Sequence, residues 1–152
     1  MDRTFNFSAG PGVLPESALE EARDEMLVYK DAGSSVMEIS HRSRQYTELA
    51  ETTRSHIREL LGIGQEWHIL FLQGGASQQF YQVPLNFLPD GGAADYIITG
   101  SWSAKAVKEA AKLGNARNAA SSEDENFSYI PETAAWDLSD AAAYVHITSN
   151  NT

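Results

Sequence analysis

The feature that most constrains the fold is the stretch over residues 67–80, WHILFLQGGASQQF, where an apolar run is followed at once by two glycines. The run over residues 67–72 predicts a buried strand. Gly74 and Gly75 predict a tight turn, and residues 77–88 predict a helix. This order places the free amides of a helix's first turn beside the end of a strand, where they attract an anion.

Two interpretations of this turn stay open. Exposed amides, with the Ser77 hydroxyl as a further donor, suit a phosphate group. An ordinary strand-to-helix turn with a serine cap has the same pattern, because two glycines are less specific than a full fingerprint. The dinucleotide fingerprint, the P-loop and the hydrolase motif G-x-S-x-G are all absent from the turn.

Helical and strand patterns alternate along the chain. Helices are predicted over residues 15–30, 43–61, 77–88 and 103–113, and strands over residues 67–72, 95–99, 116–120 and 142–148. This alternation predicts an α/β fold with a mainly parallel sheet flanked by helices, in one domain over residues 15–152. An extended segment over residues 1–14 precedes it. Residues 35–40 predict a brief strand or an extended link, and Pro84 predicts a kink or a new turn.

Ligands of parallel sheets bind beyond the carboxyl ends of the strands. Those ends carry the turn at residues 74–77, Trp102 and Thr152. Glycine amides, an indole and hydroxyl groups at three strand ends suggest a planar, phosphorylated ligand whose ring lies against Trp102. A tryptophan by itself is more often a packing residue, so this interpretation depends on the three ends together.

Composition excludes several classes of function. The chain of 152 residues is 42% hydrophobic. It has no apolar run of the ~18 residues that cross a bilayer and no signal-peptide pattern, so a cytoplasmic globular protein is expected. Cysteine is absent, which excludes disulfides, thiolate metal sites and a cysteine nucleophile. The net charge of −10 argues against nucleic acid and anionic membranes as partners, and it requires local groups to hold any anionic ligand.

The four histidines are scattered and predict no metal site. His68 and His146 lie in predicted strands and are interpreted as core histidines with satisfied hydrogen bonds. His41 and Arg42 come just before a predicted helix. A guanidinium there suits a carboxylate or phosphate, although a solvated arginine is the simpler interpretation.

Five blocks of the sequence together resemble the phosphoserine aminotransferase family, within the class V aminotransferase group. They are FNFSAGP, SVMEISHRS, FLQGGASQQF, DYIITGSWSAKAVKEA and the final NNT. They occur in the family's order and spacing and cover the whole chain. The resemblance implies a fold-type I enzyme that works as a homodimer, with this chain as the N-terminal part of its large domain, which binds pyridoxal 5'-phosphate.

The resemblance also implies a reaction. Members transfer the amino group of L-glutamate to 3-phosphohydroxypyruvate, which gives O-phospho-L-serine and 2-oxoglutarate in L-serine biosynthesis. Many bacterial members also act on the related phospho-oxo acid of pyridoxine biosynthesis.

The family's site residues match particular positions of this chain. The positions that match cofactor-binding residues are Gly75, Ala76, Ser77, Trp102 and Thr152, and those that match substrate-binding residues are His41, Arg42 and Ala9. In the family the turn at residues 75–77 binds the cofactor phosphate, the tryptophan stacks on the pyridine ring, and the threonine hydrogen-bonds the cofactor's hydroxyl side. The His-Arg pair binds the substrate's acidic groups. Ala9 lies near the substrate, where some members have serine.

One departure from the family concerns the catalytic lysine. The family's chains are more than twice this length, and the lysine that forms the Schiff base matches a position beyond Thr152. None of this chain's lysines stands there; they are Lys30, Lys105, Lys108 and Lys112. We therefore expect a fragment that is inactive alone and either poorly folded or held by further chain. Two alternatives remain open: a non-catalytic module that binds a phosphorylated ligand, and another class V aminotransferase.

Overall fold

The computed structural model describes residues 3–151. The chain divides into two compact units, Met1–Leu70 and Phe71–Thr152. Within the described residues, no helix is both long enough and apolar enough to cross a membrane.

The first unit contains two helices, α1 (Glu16–Asp24) and α2 (Arg44–Leu61). The predicted helix over residues 43–61 is confirmed, and its ends have local causes. At the start, the Ser43 hydroxyl accepts a hydrogen bond from the Tyr46 amide at 3.2 Å. At the end, Gly62 adopts φ 63°, which lets the Ile63 amide reach back to the Arg58 carbonyl at 3.1 Å.

Helix α1 is shorter than predicted, because it ends at Asp24 and not near residue 30. The chain beyond it turns: the Tyr29 amide donates to the Ser34 carbonyl at 2.9 Å, and Lys30 has φ 48°. Tyr29 is buried within this turn, so its packing overrides the helical spacing of the sequence. Residues 35–40 also form turns, and neither the strand nor the extended link predicted there is present.

The second unit alternates helices and strands in the order α3 (Gly75–Phe87), β1 (Ala93–Ile98), α4 (Ser101–Ala110), β2 (Asn115–Ser121) and β3 (Ala142–His146). Strand β1 lies in the middle of the sheet and pairs in parallel with both β2 and β3. The predicted α/β fold with a parallel sheet is confirmed. Helix α3 runs through Pro84, so no new turn begins there.

The core of the second unit lies between the sheet and α4. Successive side chains of a strand point to opposite faces, so Ala94, Tyr96 and Ile98 of β1 share one face. They pack against Ala106 and Ala110 of α4, and all five are buried. Apolar side chains at every second strand position and at the facing helix positions therefore form one continuous core.

The opposite face of β1 carries a buried carboxylate. Asp95 is fully buried, and its Oδ1 lies 2.8 Å from a guanidinium nitrogen of Arg117 on β2. Its Oδ2 accepts a hydrogen bond from the Ser139 amide at 2.6 Å. Arg117 also reaches the carboxylate of Asp137 at 2.8 Å. This network fastens the segment around residue 139 to the central strand.

The predicted strand over residues 67–72 is wrong. Within the described residues this stretch joins no sheet. Trp67, Leu70, Phe71 and Leu72 are each more than half exposed. An apolar run favours an extended backbone, but a strand also needs a neighbour to pair its amides and carbonyls. The two edges of β1 are already taken by β2 and β3. His68, in the same stretch, is exposed, so its interpretation as a core histidine is wrong as well.

Candidate functional site

Helix α3 begins with an exposed glycine turn. Gly74 has φ 102° and Gly75 has φ 58°, conformations that favour glycine. The first bond of the helix joins the Gln78 amide to the Gly74 carbonyl, and no side chain caps the start. The amides of Gly75, Ala76 and Ser77 come before that bond and have no intrahelical acceptor. All three residues are exposed, so these amides and the positive end of the helix dipole can meet an anion.

Helix α4 begins at the carboxyl end of β1, and its second residue is Trp102. Helices α3 and α4 pack against each other, and Phe80 of α3 lies beside the indole, with ring centroids 6.5 Å apart and planes inclined at 47°. Because Phe80 is in the first half of α3, the glycine turn and Trp102 lie at the same edge of the sheet. The ammonium of Lys105 lies 4.0 Å from the centroid of the indole.

A ring cluster lies beside Phe80 on the strand side. His146, the last residue of β3, stacks on Tyr96 at 4.9 Å and meets Phe80 edge-on at 6.0 Å. Its Nε2 is 3.0 Å from the Thr148 hydroxyl. Burial lowers the pKa of His146, which favours the neutral ring. The interpretation of His146 as a packed, hydrogen-bonded histidine agrees with this geometry.

The phenol of Tyr96 is hydrogen-bonded to that of Tyr144 at 2.7 Å. Burial first, and then this hydrogen bond, raise the pKa of Tyr96 well above its usual value. The Tyr96 phenol therefore stays neutral, and its hydrogen bond to Tyr144 joins β1 to β3.

A shallow cavity of about 260 Å³ opens at the same carboxyl edge. Its polar lining comes from the exits of β1 and β3, which contribute Thr99, Thr148, Ser149 and Asn151. The segment over residues 127–130 supplies the opposite wall. The site edge thus combines open amides, an indole and a hydroxyl-lined hollow.

The remaining sequence-predicted residues belong to the first unit or lie outside the described residues. His41, Arg42 and Ala9 are exposed in the first unit. The Arg42 amide donates to the Ser40 hydroxyl at 3.2 Å, within the turn before α2. Thr152 lies outside the described residues. Within residues 3–151 no three histidine or carboxylate side chains are grouped closely enough to hold a metal ion.

Sequence reasoning missed three polar residues and one ring at this edge. They are Thr99, Ser103, Asn151 and Phe80. Ser103 is fully buried although it stands in the first turn of a helix. The available signal was position: Thr99 follows the last residue of β1 and Ser103 lies in the first turn of α4, whereas Asn151 lies five residues after the end of β3. That signal does not reveal which distant groups meet.

The geometry above agrees with the comparison with known families. The profile of the family described as Aminotransferase class-V matches residues 4–152. The chain therefore belongs to the class V aminotransferase family.

Individual relatives sharpen this placement. A phosphoserine aminotransferase of Nitrosomonas europaea is 53% identical over 152 residues, which are 100% of this chain and 41% of that protein. The solved phosphoserine aminotransferase from Bacillus circulans subsp. alkalophilus is similar with a TM-score of 0.84 and 45% identity, covering 99% of this chain and 42% of that one. A phosphoserine aminotransferase from Trichomonas vaginalis, solved with PLP bound, gives a TM-score of 0.81 and 36% identity, covering 94% of this chain and 40% of that one. The chain thus spans about two fifths of the length of the relatives it matches.

Proposed function

We propose that this chain is the N-terminal part of a phosphoserine aminotransferase and supplies the phosphate and ring contacts of pyridoxal 5'-phosphate. One observation carries the proposal. The open amides at the start of α3 and the indole at the start of α4 lie at one sheet edge, joined by Phe80. That arrangement fits a ligand with a phosphate on one side and a flat aromatic ring on the other.

The amides of Gly75, Ala76 and Ser77 would hold the cofactor phosphate. They offer parallel donors at the positive end of a helix dipole, and the Ser77 hydroxyl adds a further donor. The net charge of −10 gives the protein no general attraction for anions. The affinity for phosphate therefore comes from these groups.

Trp102 would cover one face of the cofactor ring. Phe80 supports the indole from α3, and Lys105 places its ammonium over an indole face. Thr152 would meet the hydroxyl side of the cofactor. When bound, pyridoxal phosphate supplies an electron sink for the carbanion formed at the amino acid's α-carbon.

The similarity to phosphoserine aminotransferases supports a proposal for the substrates. His41 and Arg42 would bind the acidic groups of L-glutamate and 3-phosphohydroxypyruvate, with Ala9 nearby. A guanidinium binds a carboxylate or phosphate through two parallel hydrogen bonds, which fixes the substrate's orientation as well as its charge. The full-length enzyme would be a cytoplasmic homodimer of L-serine biosynthesis, with a second role in pyridoxine biosynthesis.

Two of the chain's lysines, Lys105 and Lys112, are engaged in contacts of their own. Lys105 lies over the Trp102 ring, and Lys112 is bound to the Glu109 carboxylate at 2.6 Å. Transamination needs an amine that bonds the cofactor covalently and moves the proton. We infer that a lysine outside these 152 residues supplies it, and that this chain alone is inactive.

The test uses a joined protein, in which this chain is continued after Thr152 by the C-terminal remainder of the Nitrosomonas europaea relative. We expect it to bind pyridoxal phosphate and to transaminate 3-phosphohydroxypyruvate with glutamate, while the chain alone shows no turnover. Trp102→Ala should weaken cofactor binding by about tenfold or more, whereas Trp136→Ala, a matched tryptophan away from the site, should not.

Two results would decide against the proposal. A folded joined protein that binds no pyridoxal phosphate would leave this chain a module for some other phosphorylated ligand. A joined protein that prefers glyoxylate to 3-phosphohydroxypyruvate would point to another class V aminotransferase.

A further inference from the structure

The N-cap position of α4 supplies no side-chain cap. The residue before the helix is Gly100, and no cap-position side chain satisfies the first amides. Instead, Oδ1 of Asn151 accepts a hydrogen bond from the Ser103 amide at 3.0 Å, across 48 residues of sequence. The same oxygen lies 3.4 Å from the Ser103 hydroxyl. A residue after β3 therefore performs the capping function for a helix that follows β1.

The nitrogen of the Asn151 side-chain amide also has hydrogen-bond partners for both of its hydrogens. Its Nδ2 donates to the Thr99 hydroxyl at 2.9 Å and to the Thr148 carbonyl at 3.2 Å. One planar group thus joins the exit of β1, the start of α4 and the exit of β3. Because both ends of the amide are bound, its orientation is fixed.

Two neighbours show that this junction is closely packed. Ser103 is fully buried, and its hydroxyl accepts from the Thr99 amide and donates to the Gly100 carbonyl, both at 2.9 Å. A Cβ at Gly100 would come within 2.6 Å of the Asn151 Cβ. The backbone of Gly100 is extended, so it is the closeness of Asn151 that requires glycine at this position.

We infer that Asn151 is a positioning residue for the cofactor ring. Trp102 immediately precedes Ser103, so the bond from Asn151 to the Ser103 amide fixes the backbone turn that carries the indole. Without this bond the Ser103 amide loses its side-chain acceptor, and the first turn of α4 frays. The position of the Trp102 indole is then no longer fixed before the cofactor binds, and the cofactor ring that it covers binds less tightly. This inference rests on the proposed function of Trp102.

The experiment compares Asn151→Ala and Asn151→Asp in the joined protein, with Asn150→Ala as the control. Asn150 is the exposed neighbour, outside the junction. The first readout is amide hydrogen exchange of Ser103 without cofactor, and the second is the affinity for pyridoxal phosphate by equilibrium dialysis. Neither needs turnover.

Asn151→Ala should speed exchange of the Ser103 amide and weaken cofactor affinity by about tenfold each, the size expected when a helix loses its capping side chain. Asn151→Asp keeps the Oδ1 acceptor and should retain the slow exchange and most of the affinity. Asn150→Ala should change neither. Thr99→Val, which removes only the hydroxyl acceptor, is a milder variant that should shift affinity about threefold in the same direction.

The outcomes separate this inference from the proposed function. If the unsubstituted joined protein binds no pyridoxal phosphate, the proposed function fails and the inference with it. If it binds normally and Asn151→Ala melts at a lower temperature but binds equally well, Asn151 is only structural and the inference alone is overturned. Unchanged exchange at Ser103 would overturn it too. Should Asn151→Ala not fold, Thr99→Val decides instead: unchanged affinity for pyridoxal phosphate in that variant would overturn the inference.

Discussion

The two units of the chain differ in how much apolar surface each buries in its own interior. In the first unit neither α1 nor α2 has a buried residue, and Tyr29 is the only buried apolar side chain among the described residues. In the second unit β1 is buried along nearly its whole length, and α4 presses two alanines against it. Local caps therefore suffice to define a helix such as α2, but only the second unit adds a core that fixes helices against a sheet.

The ion pairs show the same contrast. Arg44 in the first unit binds Asp31 and Glu48 with all three side chains more than half exposed. Arg117 in the second unit binds Asp95, whose side chain is fully buried. Exposed pairs are worth little because water screens them, whereas a buried carboxylate without its partner is costly. The glycine turn and Trp102, which are proposed to contact the cofactor, thus belong to the unit that has the buried core.

The largest expected effect comes from removing Arg117. Arg117→Met leaves the Asp95 carboxylate buried with only the Ser139 amide for support, and should cost about 3–5 kcal/mol of stability. Amide hydrogen exchange of β1 in the joined protein measures the loss. The matched variant Arg44→Met should cost less than about 1 kcal/mol, measured on α2. Equal losses of stability in Arg117→Met and Arg44→Met would contradict the idea that only the second unit depends on a buried ion pair.

A smaller effect is expected from overfilling α4. Ala110 is fully buried between helix and sheet, and Ala110→Leu should cost about 1–3 kcal/mol because the facing side chains cannot move aside. Ala22 of α1 is exposed, and Ala22→Leu should change stability by no more than about 0.5 kcal/mol. Amide hydrogen exchange of β1 measures the loss of stability in Ala110→Leu, and exchange of α2 measures it in Ala22→Leu. A loss at Ala22 as large as that at Ala110 would mean that the first unit is covered in the full-length protein.

The smallest expected effect is a pH dependence from His146. Its pKa is lowered by burial between the rings of Tyr96 and Phe80, so the unfolded chain binds the proton more readily. The stability that neutral His146 contributes is present above the unfolded pKa of 6.5 and is lost as the pH falls below it. The urea midpoint should therefore decrease between about pH 7.5 and about pH 5.5.

Two variants identify the group responsible. His146→Gln should flatten this dependence, while the exposed His56→Gln in α2 should leave it unchanged. A dependence that survives His146→Gln would assign the titration to another group.

Much of the fold was predictable because its signals are local. The helix over residues 43–61 was bounded by a serine and a glycine that act within one turn. The predicted strands over residues 95–99, 116–120 and 142–148 are present, extended or shortened by a few residues. Of the positions predicted to bind the cofactor, Trp102 follows the carboxyl end of β1, whereas the glycine turn does not follow a strand of the sheet; their role in cofactor binding stays a prediction.

The failures have a common cause. The stretch over residues 67–72 has the composition of a strand, but pairing depends on a partner that no local pattern names. The end of α1 depends on the burial of Tyr29, and the role of Asn151 depends on groups 48 and 52 residues away. Each of these features is decided between segments and not within one.

By itself, the sequence determined both ends of α2, most of the alternation of elements and the family, because caps, glycine turns and apolar periods act over a few residues. Only the tertiary structure decided which apolar run joins the sheet and which polar side chain caps α4. Both outcomes require distant groups to satisfy one another's hydrogen bonds, and the energy of leaving such groups unpaired appears only when the chain is folded.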